Sequence, residues 1–303
     1  MAQQEEITMV EFMRRYGTEE ACREHLYQMR WPEGFICPKC GIKDNPFNIK
    51  SRNKLQCRHC NHQASVTAGT IMDKSRTKLT KWFLAIYLIG TDKRGCSALR
   101  LKKELKIAYD TAWTMSHKIR NAMAQRDSAY RLTGIVDMDE SFFGAAHIGG
   151  KRGRGADKTA VVFALSHDKH GNAMYLKAKA VGKVDKETIS SFSKAFIEQG
   201  AIIQSDGLNL YQSLNKEGYI HMFEPAIDRN TSPAFLHTLH TIIANVKVFI
   251  LGTYHGLDEV HLQTYLDEFV YRFNRRSYAG ELFNRTVNAC LISSKFTRYD
   301  LIG

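Results

Sequence analysis

Four cysteines come in two matched pairs, CPKC at 37–40 and CRHC at 57–60, with sixteen residues between them. Each C-x2-C pair can set two thiolates on one tight knuckle, and two knuckles close a tetrahedral four-sulfur site of the kind that holds structural Zn2+. Gly41 and Asn61 follow the pairs, as turns that need a left-handed residue require. A redox reading lacks the strand–helix–strand context that thiol oxidoreductases supply. His59 and His62 lie near enough to replace a ligand, but Cys37, Cys40, Cys57 and Cys60 already fill the site.

The second set of residues is acidic. Asp139 sits in GIVDMDES, where strand alternation puts Asp137 and Asp139 on one face and Met138 and Glu140 on the other. Asp206 follows the apolar run AIIQS and precedes Gly207, at the carboxyl end of a strand where α/β folds place their sites. Carboxylates on neighbouring strands suit Mg2+, and two such ions about 3.5–4 Å apart clamp the attacking and leaving oxygens of a phosphodiester. Either aspartate alone reads equally well as a turn or cap residue. A third acid is missing where one is wanted: between Asp228 and Asp258 there is no Asp or Glu, and the middle of that stretch is HTLHTIIANVK, residues 237–247.

The elements that must position these groups follow from periodicity. Residues 1–30 read as helical, and residues 31–72 are a loop-rich, metal-stapled module. From 73 to 128, KLTKWFLAIYLIG, SALRLKKELK and AYDTAWTMSHKIRNAM form three helices, with Ser97 and Asp110 as N-caps of the second and third. This is a helix-turn-helix pattern. Its third helix would face DNA with Tyr109, Thr111, Thr114, His117 and Lys118, while Trp113 and Ile119 fall in the core. After Leu132 the period becomes that of strands, and residues 129–280 give three strands, a helix, a strand and further helices. That order is compatible with an RNase H-like fold. Residues 281–303 are left as a tail, so the fold class is a multidomain α+β and α/β chain. Within YLDEFVYRFNRRS, residues Tyr265, Leu266, Phe269 and Phe273 are core, and Arg275 and Arg276 face DNA or complement a helix end. GGKRGRGADK carries Lys151, Arg152, Arg154 and Lys158 on a glycine-rich loop that can fold onto phosphates.

Lys plus Arg number 43 against 31 Asp plus Glu, a formal balance of +12 over 303 residues. Such a charge fits a polyanionic partner, double-stranded DNA above all. No stretch reaches the roughly 18 apolar residues of a membrane span, and MAQQEEITMV lacks the regions of a signal peptide. The expectation is a cytoplasmic, nucleoid-associated chain without a membrane partner. In a reducing compartment Cys22, Cys96 and Cys290 are buried apolar residues.

WPEGFICPKC, SVTAGTIMDKSRTKL, YDTAWTMSHKIRNAM, VDMDESFFG, IIQSDGLNLY, GTYHGL and YLDEFVYRFNRR together resemble the zinc-ribbon DDE-type transposases of bacterial insertion sequences, which have an RNase H-like catalytic domain. The resemblance implies that Asp139 and Asp206 bind the catalytic Mg2+ or Mn2+. It also implies recognition, cleavage and strand transfer of DNA at element ends and into target DNA, by a homo-oligomer assembled on DNA. Two departures stand out. The path from the first acid to the basic loop, FFGAAHIGGKRGRG, is slightly longer than usual. The slot that usually carries Glu or Asn, counted back from GTYH at 252–255, falls on His240, which makes a DDH variant. His240 then serves as a metal ligand, better suited to Mn2+ than Mg2+, or as a proton carrier. His237 and Asn245 compete for the role. The missing acid also admits a non-catalytic DNA-binding regulator, and a structure-selective nuclease that does not transpose is the other rival.

Overall fold

Two threonines set the first helices of the chain. Thr8 accepts the Glu11 amide at 3.2 Å and opens α1 (Met9–Tyr16); Thr18 accepts the Ala21 amide at 3.1 Å and opens α2 (Glu19–Arg30). The computed structural model describes residues 6–144, 158–224, 233–255, 257–297 and 299–302. Contacts divide the chain into two units, Met1–Arg126 with Tyr278–Gly303, and Asp127–Ser277.

In the first unit a short antiparallel sheet, β1 (Phe47–Ile49), β2 (Lys54–Gln56) and β3 (Gln63–Ala64), carries the cysteine knuckles. Three helices follow: α3 (Leu79–Thr91), α4 (Ala98–Leu105) and α5 (Tyr109–Asp127). Glu19 of α2 accepts the Leu79 and Thr80 amides at 3.1 and 2.9 Å, so a neighbouring helix caps α3. Ser97 caps α4 through the Arg100 amide, whereas Asp110, expected as the cap of α5, lies inside its first turn. The segment read as a tail contributes α9 (Leu282–Ile292, the last of the helices described below), which packs on α3. Its Phe283 meets Phe12, Tyr16 and Phe83. A run of Leu, Phe, Val, Ala and Cys on one helical stripe is what buries it, a signal that the sequence reading passed over.

The second unit is a five-stranded mixed sheet in the order β6-β5-β4-β7-β8, made of β4 (Ile135–Phe143), β5 (Thr159–His167), β6 (Ala173–Val181), β7 (Ile202–Ser205) and β8 (Ile220–Phe223). The first three pair antiparallel; β7 joins β4, and β8 joins β7, in parallel. This is the RNase H-like arrangement anticipated from the element order. Helix α6 (Lys186–Phe196), capped by Asp185, covers the face carrying Val136, Met138, Val162 and Ala164. Helices α7 (His237–Thr253) and α8 (Glu259–Phe273) cover the face carrying Val161, Phe163 and Leu165. Each such Val, Leu, Phe or Met side chain, fully buried, contributes about 1.5–3 kcal/mol.

With its preceding turn α7 spans Ala234–Thr253, 20 residues long and apolar enough by length and composition to cross a membrane. That corrects the expectation that no stretch is so apolar. Its hydrophobicity has a local cause, since Leu239, Ile242, Ile243, Val246, Phe249 and Ile250 all enter the core against the sheet.

The two sheet edges differ. Along β6, side chains from α8 and the turn after it take up the free backbone groups. Gln263 accepts from Ala180 N and donates to Ala178 O, Asn274 accepts from Leu176 N and donates to Leu176 O, and Arg276 donates to Met174 O and Ala173 O. β8 keeps Ile220, Met222 and Phe223 half-exposed.

Candidate functional site

The parallel register sets the position of the two aspartates. Asp137 of β4 lies opposite Gln204 of β7, and two residues further along both strands stand Asp139 and Asp206. Asp206 closes β7, and the chain turns at Gly207, whose φ is +81°. A Cβ there would lie 2.8 Å from the Phe223 ring, so both the backbone conformation and the packing demand glycine.

Helix α7 crosses this end of the sheet and brings His240 onto Asp139, with Nε2 2.9 Å from Oδ2. Asp139 and His240 remain partly open, at 18% and 34% side-chain exposure. The hydrogen bond that His240 donates to Asp139 is the main reason that the imidazole is raised above its ordinary value; burial opposes it, and the charges of Asp139, Asp206 and Asp137 add to it. Exposed His237 and Asn245 lie elsewhere on the helix, Asn245 five residues on and so turned away from Asp139. Of the three histidine and asparagine candidates, His240 is the one the structure joins to an acid.

Two groups escaped the sequence reading. Lys247 lies seven residues, or two turns, beyond His240 and so on the same side of α7. Burial lowers its ammonium below the usual lysine value, Lys158 lowers it further, and the charge of Asp139 opposes both. Lys158 and Lys247 therefore stand within electrostatic reach of one another beside the aspartates. Glu140, on the opposite face of β4 from Asp139, accepts at 2.9 Å from the hydroxyl of fully buried Tyr211. Burial, and then the charges of Glu140, Asp139 and Asp206, hold that phenol well above its ordinary value, so it stays a donor. The spacing of seven from His240 was the available signal for Lys247, hidden in an otherwise apolar run.

A second acid–histidine pair shares the face. His167, at the end of β5, places Nε2 2.7 Å from Asp137 Oδ2 and Nδ1 3.1 Å from the Gly171 carbonyl. Here the side-chain exposures are 10% and 1%. Both ring nitrogens meet oxygen acceptors, an arrangement that favours the imidazolium form of His167. The Asp137 hydrogen bond, working against burial, raises His167.

Asp139 and Asp206 supply the oxygen donors that Mg2+ and Mn2+ take, and His240 supplies an imidazole nitrogen that suits Mn2+ better. The residues thus fit a divalent cation by donor type. The cysteine site is more fully formed: Cys37, Cys40, Cys57 and Cys60 hold their sulfurs within 4.8 Å of one another, with 3.6 Å between Cys37 and Cys60 and 3.7 Å between Cys40 and Cys57. A tetrahedron with Zn–S near 2.3 Å needs sulfurs about 3.8 Å apart. Both knuckles close alike, Gly41 N donating to Cys37 O and Asn61 N to Cys57 O, with left-handed φ of +73° and +57°.

The expected DNA contacts fare unequally. Thr111, Thr114 and Lys118 line a cleft of about 250 Å³ with the 73–77 turn. His117, expected on the exposed side, is fully buried and packs its ring 4.3 Å from that of Trp113, which is itself only half-buried. Arg275 is also spent internally: it pairs with Asp127 at 2.7 Å, lies 3.6 Å over the Tyr271 ring and donates to Tyr271 O. Arg276 is exposed, but its guanidinium binds the β6 edge carbonyls and lies 4.1 Å over the Phe273 ring. Neither arginine is placed for a phosphate, because the helix end and sheet edge use their donors first. Lys151, Arg152 and Arg154 lie outside the described residues.

Family models match two parts of the chain: a transposase zinc-ribbon domain over residues 17–63 and an ISXO2-like transposase domain over residues 131–274. A protein of Halobacterium salinarum described as an uncharacterized protein in transposable element ISH50 is 24% identical over 225 residues, covering 68% of this chain and 73% of that one. Among solved structures, a pre-cleavage Mos1 transpososome matches at 11% identity and a TM-score of 0.29, over 67% of this chain and 76% of that one. A simian T-cell lymphotropic virus intasome complex matches at 9% identity and a TM-score of 0.31, over 56% of this chain and 63% of that one. Structural likenesses this faint carry no weight for the function.

Proposed function

Since the chain belongs to the zinc-ribbon DDE-type transposases of insertion sequences, we propose that it binds element ends, cleaves a DNA strand there and transfers the freed 3′-hydroxyl to target DNA, using Asp139, Asp206 and His240. The observation that carries this reading is the 2.9 Å approach of His240 to Asp139, beside the strand end that bears Asp206. Asp139 and Asp206 hold Mg2+ or Mn2+. When bound, such ions activate the attacking oxygen and stabilise the leaving one.

The side chains do the rest. His240 keeps its Nε2 at Asp139 and can hold or release a proton there, while Lys247 and Lys158 place positive charge beside the carboxylates where a phosphodiester must lie. Tyr211 ties Glu140 back through its hydroxyl and so keeps that third acid from turning toward the site. The ribbon cysteines hold one Zn2+ per chain, the helical unit binds double-stranded DNA, and two or more copies assemble on it because two ends must meet.

The test is cleavage of a labelled element-end duplex by the wild type and by Asp139→Asn, Asp206→Asn, His240→Ala, His240→Glu and Asn245→Ala, across pH and with Mg2+ or Mn2+. Both aspartate variants should be inactive. If His240 is a ligand, His240→Glu should work with Mg2+ while His240→Ala is nearly dead. If it carries a proton, the wild-type rate should rise with pH through a titration above the ordinary imidazole value of about 6.5, and His240→Ala should lack that rise. Wild-type rates in His240→Ala together with loss in Asn245→Ala would move the third position to Asn245.

A further inference from the structure

The cleft between the start of α5 and the 73–77 turn has the chemistry of an anion seat. Thr111, Thr114 and Lys118 follow at intervals of three and four, one stripe of α5, and all three line it. The Lys118 ammonium has three donors and makes one long bond, 3.4 Å to Ile71 O, outside the usual 2.7–3.2 Å range. Across the cleft, Ser75 Oγ accepts from Trp82 Nε1 at 3.0 Å and from Thr77 N at 3.2 Å, which leaves its own proton to donate inward. Lys74 stands next to it in the left-handed region at φ +54°, a conformation that lysine rarely adopts.

The local charges favour an anion. Asp73 is matched by Lys295 at 2.6 Å and also feels Arg30, and Asp110 is the other acid on the cleft wall. Four cations, Lys74, Lys118, Lys295 and Arg30, thus lie within electrostatic reach of the single carboxylate of Asp73. Burial depresses the Lys118 ammonium, which an arriving anion would relieve.

We infer that this cleft seats a phosphodiester of the DNA backbone, gripped by Lys118, Lys74 and the hydroxyls of Ser75, Thr111 and Thr114. On this assignment the stripe expected to face DNA positions the duplex by its backbone and carries no sequence information of its own. The inference rests on the DNA-binding reading above but can fail separately from it.

The experiment compares full-length wild type with Lys118→Met and Lys74→Gly, binding an element-end duplex and an unrelated duplex over a range of NaCl concentrations. Lys118→Met keeps the stem that packs in the cleft. Lys74→Gly removes a charge at a backbone position that glycine adopts freely, so folding is not at risk. Each variant should bind both duplexes about 5–10-fold more weakly at low salt, with the slope of log K against log[salt] shallower by about 0.9 and the preference between duplexes unchanged. Wild-type affinity and slope in both variants would overturn the inference, and so would a changed preference at constant slope, which would assign the stripe to base reading. A parallel arm adds inorganic phosphate at matched ionic strength. If phosphate protects wild type but not Lys118→Met from unfolding, while duplex binding is the same in both, the cleft belongs to a free anion and not to DNA. A wild type with no preference for element ends would sink the transposase reading and leave the test of the cleft intact on the unrelated duplex.

Discussion

Two acid–histidine pairs lie on one face of the sheet, and they differ in almost everything but composition. Asp137 and His167 are nearly closed to solvent, and the second ring nitrogen of His167 is occupied by the Gly171 carbonyl. Asp139 and His240 are partly open, and among the described residues no further hydrogen-bond partner of His240 is seen. The first pair joins two adjacent strands and is a fastening. The second joins a strand to a helix 101 residues away and faces the end of β7. A pairing of residue types says little about a role; what the second nitrogen meets, and how much water reaches it, says more.

The largest effect that tests this contrast is Asp139→Asn, expected to reduce cleavage at least about 10³-fold while duplex binding persists, because the ligand and the hydrogen-bond acceptor go together. Next, His240→Ala should lose cleavage about 10²-fold or more and move the unfolding free energy by no more than about 1 kcal/mol, since both partners are partly open to water. His167→Ala should do the reverse. It leaves Asp137 buried without its counter-charge, at a cost of about 2–4 kcal/mol in urea unfolding, with cleavage per folded molecule largely kept. Loss of cleavage in His167→Ala without loss of stability would erase the distinction.

A smaller effect concerns pH. His167 is raised in the folded chain, so its pair contributes stability fully below the ordinary histidine value, and that contribution drains away as pH climbs through the raised one. The stability gap between wild type and His167→Ala should therefore be wide near pH 6 and narrower by pH 9. Asp267 gives a control in a lower pH window, where stability again falls with rising pH but the substitution stabilises instead of destabilising. Burial pushes its carboxyl up to about 6, against the Gln263 hydrogen bond and the charge of Lys179. Its ionised form is disfavoured on folding, so stability falls as pH rises through that value. Asp267→Asn should stabilise the chain by on the order of 1–2 kcal/mol at pH 8 and by nothing near pH 4, as read from thermal unfolding.

How much of this lay open in the sequence follows from how local each signal was. The cysteine quartet is two tetrapeptides, and its geometry needs only the knuckles to close. Asp139 sits inside a strand pattern and Asp206 where one meets a turn, and His240 follows from the resemblance, by counting back from GTYH. The Asp137–His167 pair was invisible because it exists only once β4 and β5 are in register, 30 residues apart. His117 and Arg275 misled for the same reason in reverse. A polar residue on a helix reads as a surface residue until a ring or a carboxylate elsewhere in the fold claims it. Lys247 was lost inside an apolar run whose hydrophobicity was the stronger signal.

Helix α7 gives the core six apolar side chains and the site His240 and Lys247, all from one 17-residue element. Each residue turns the helix by about 100°, so inserting or deleting one between Leu239 and Lys247 would swing every later side chain out of its place. The core would then lose its apolar face, or the aspartates would lose Lys247. The exposed positions Ala244, Val248 and Leu251 are open to substitution, but the length of this helix is not open to change.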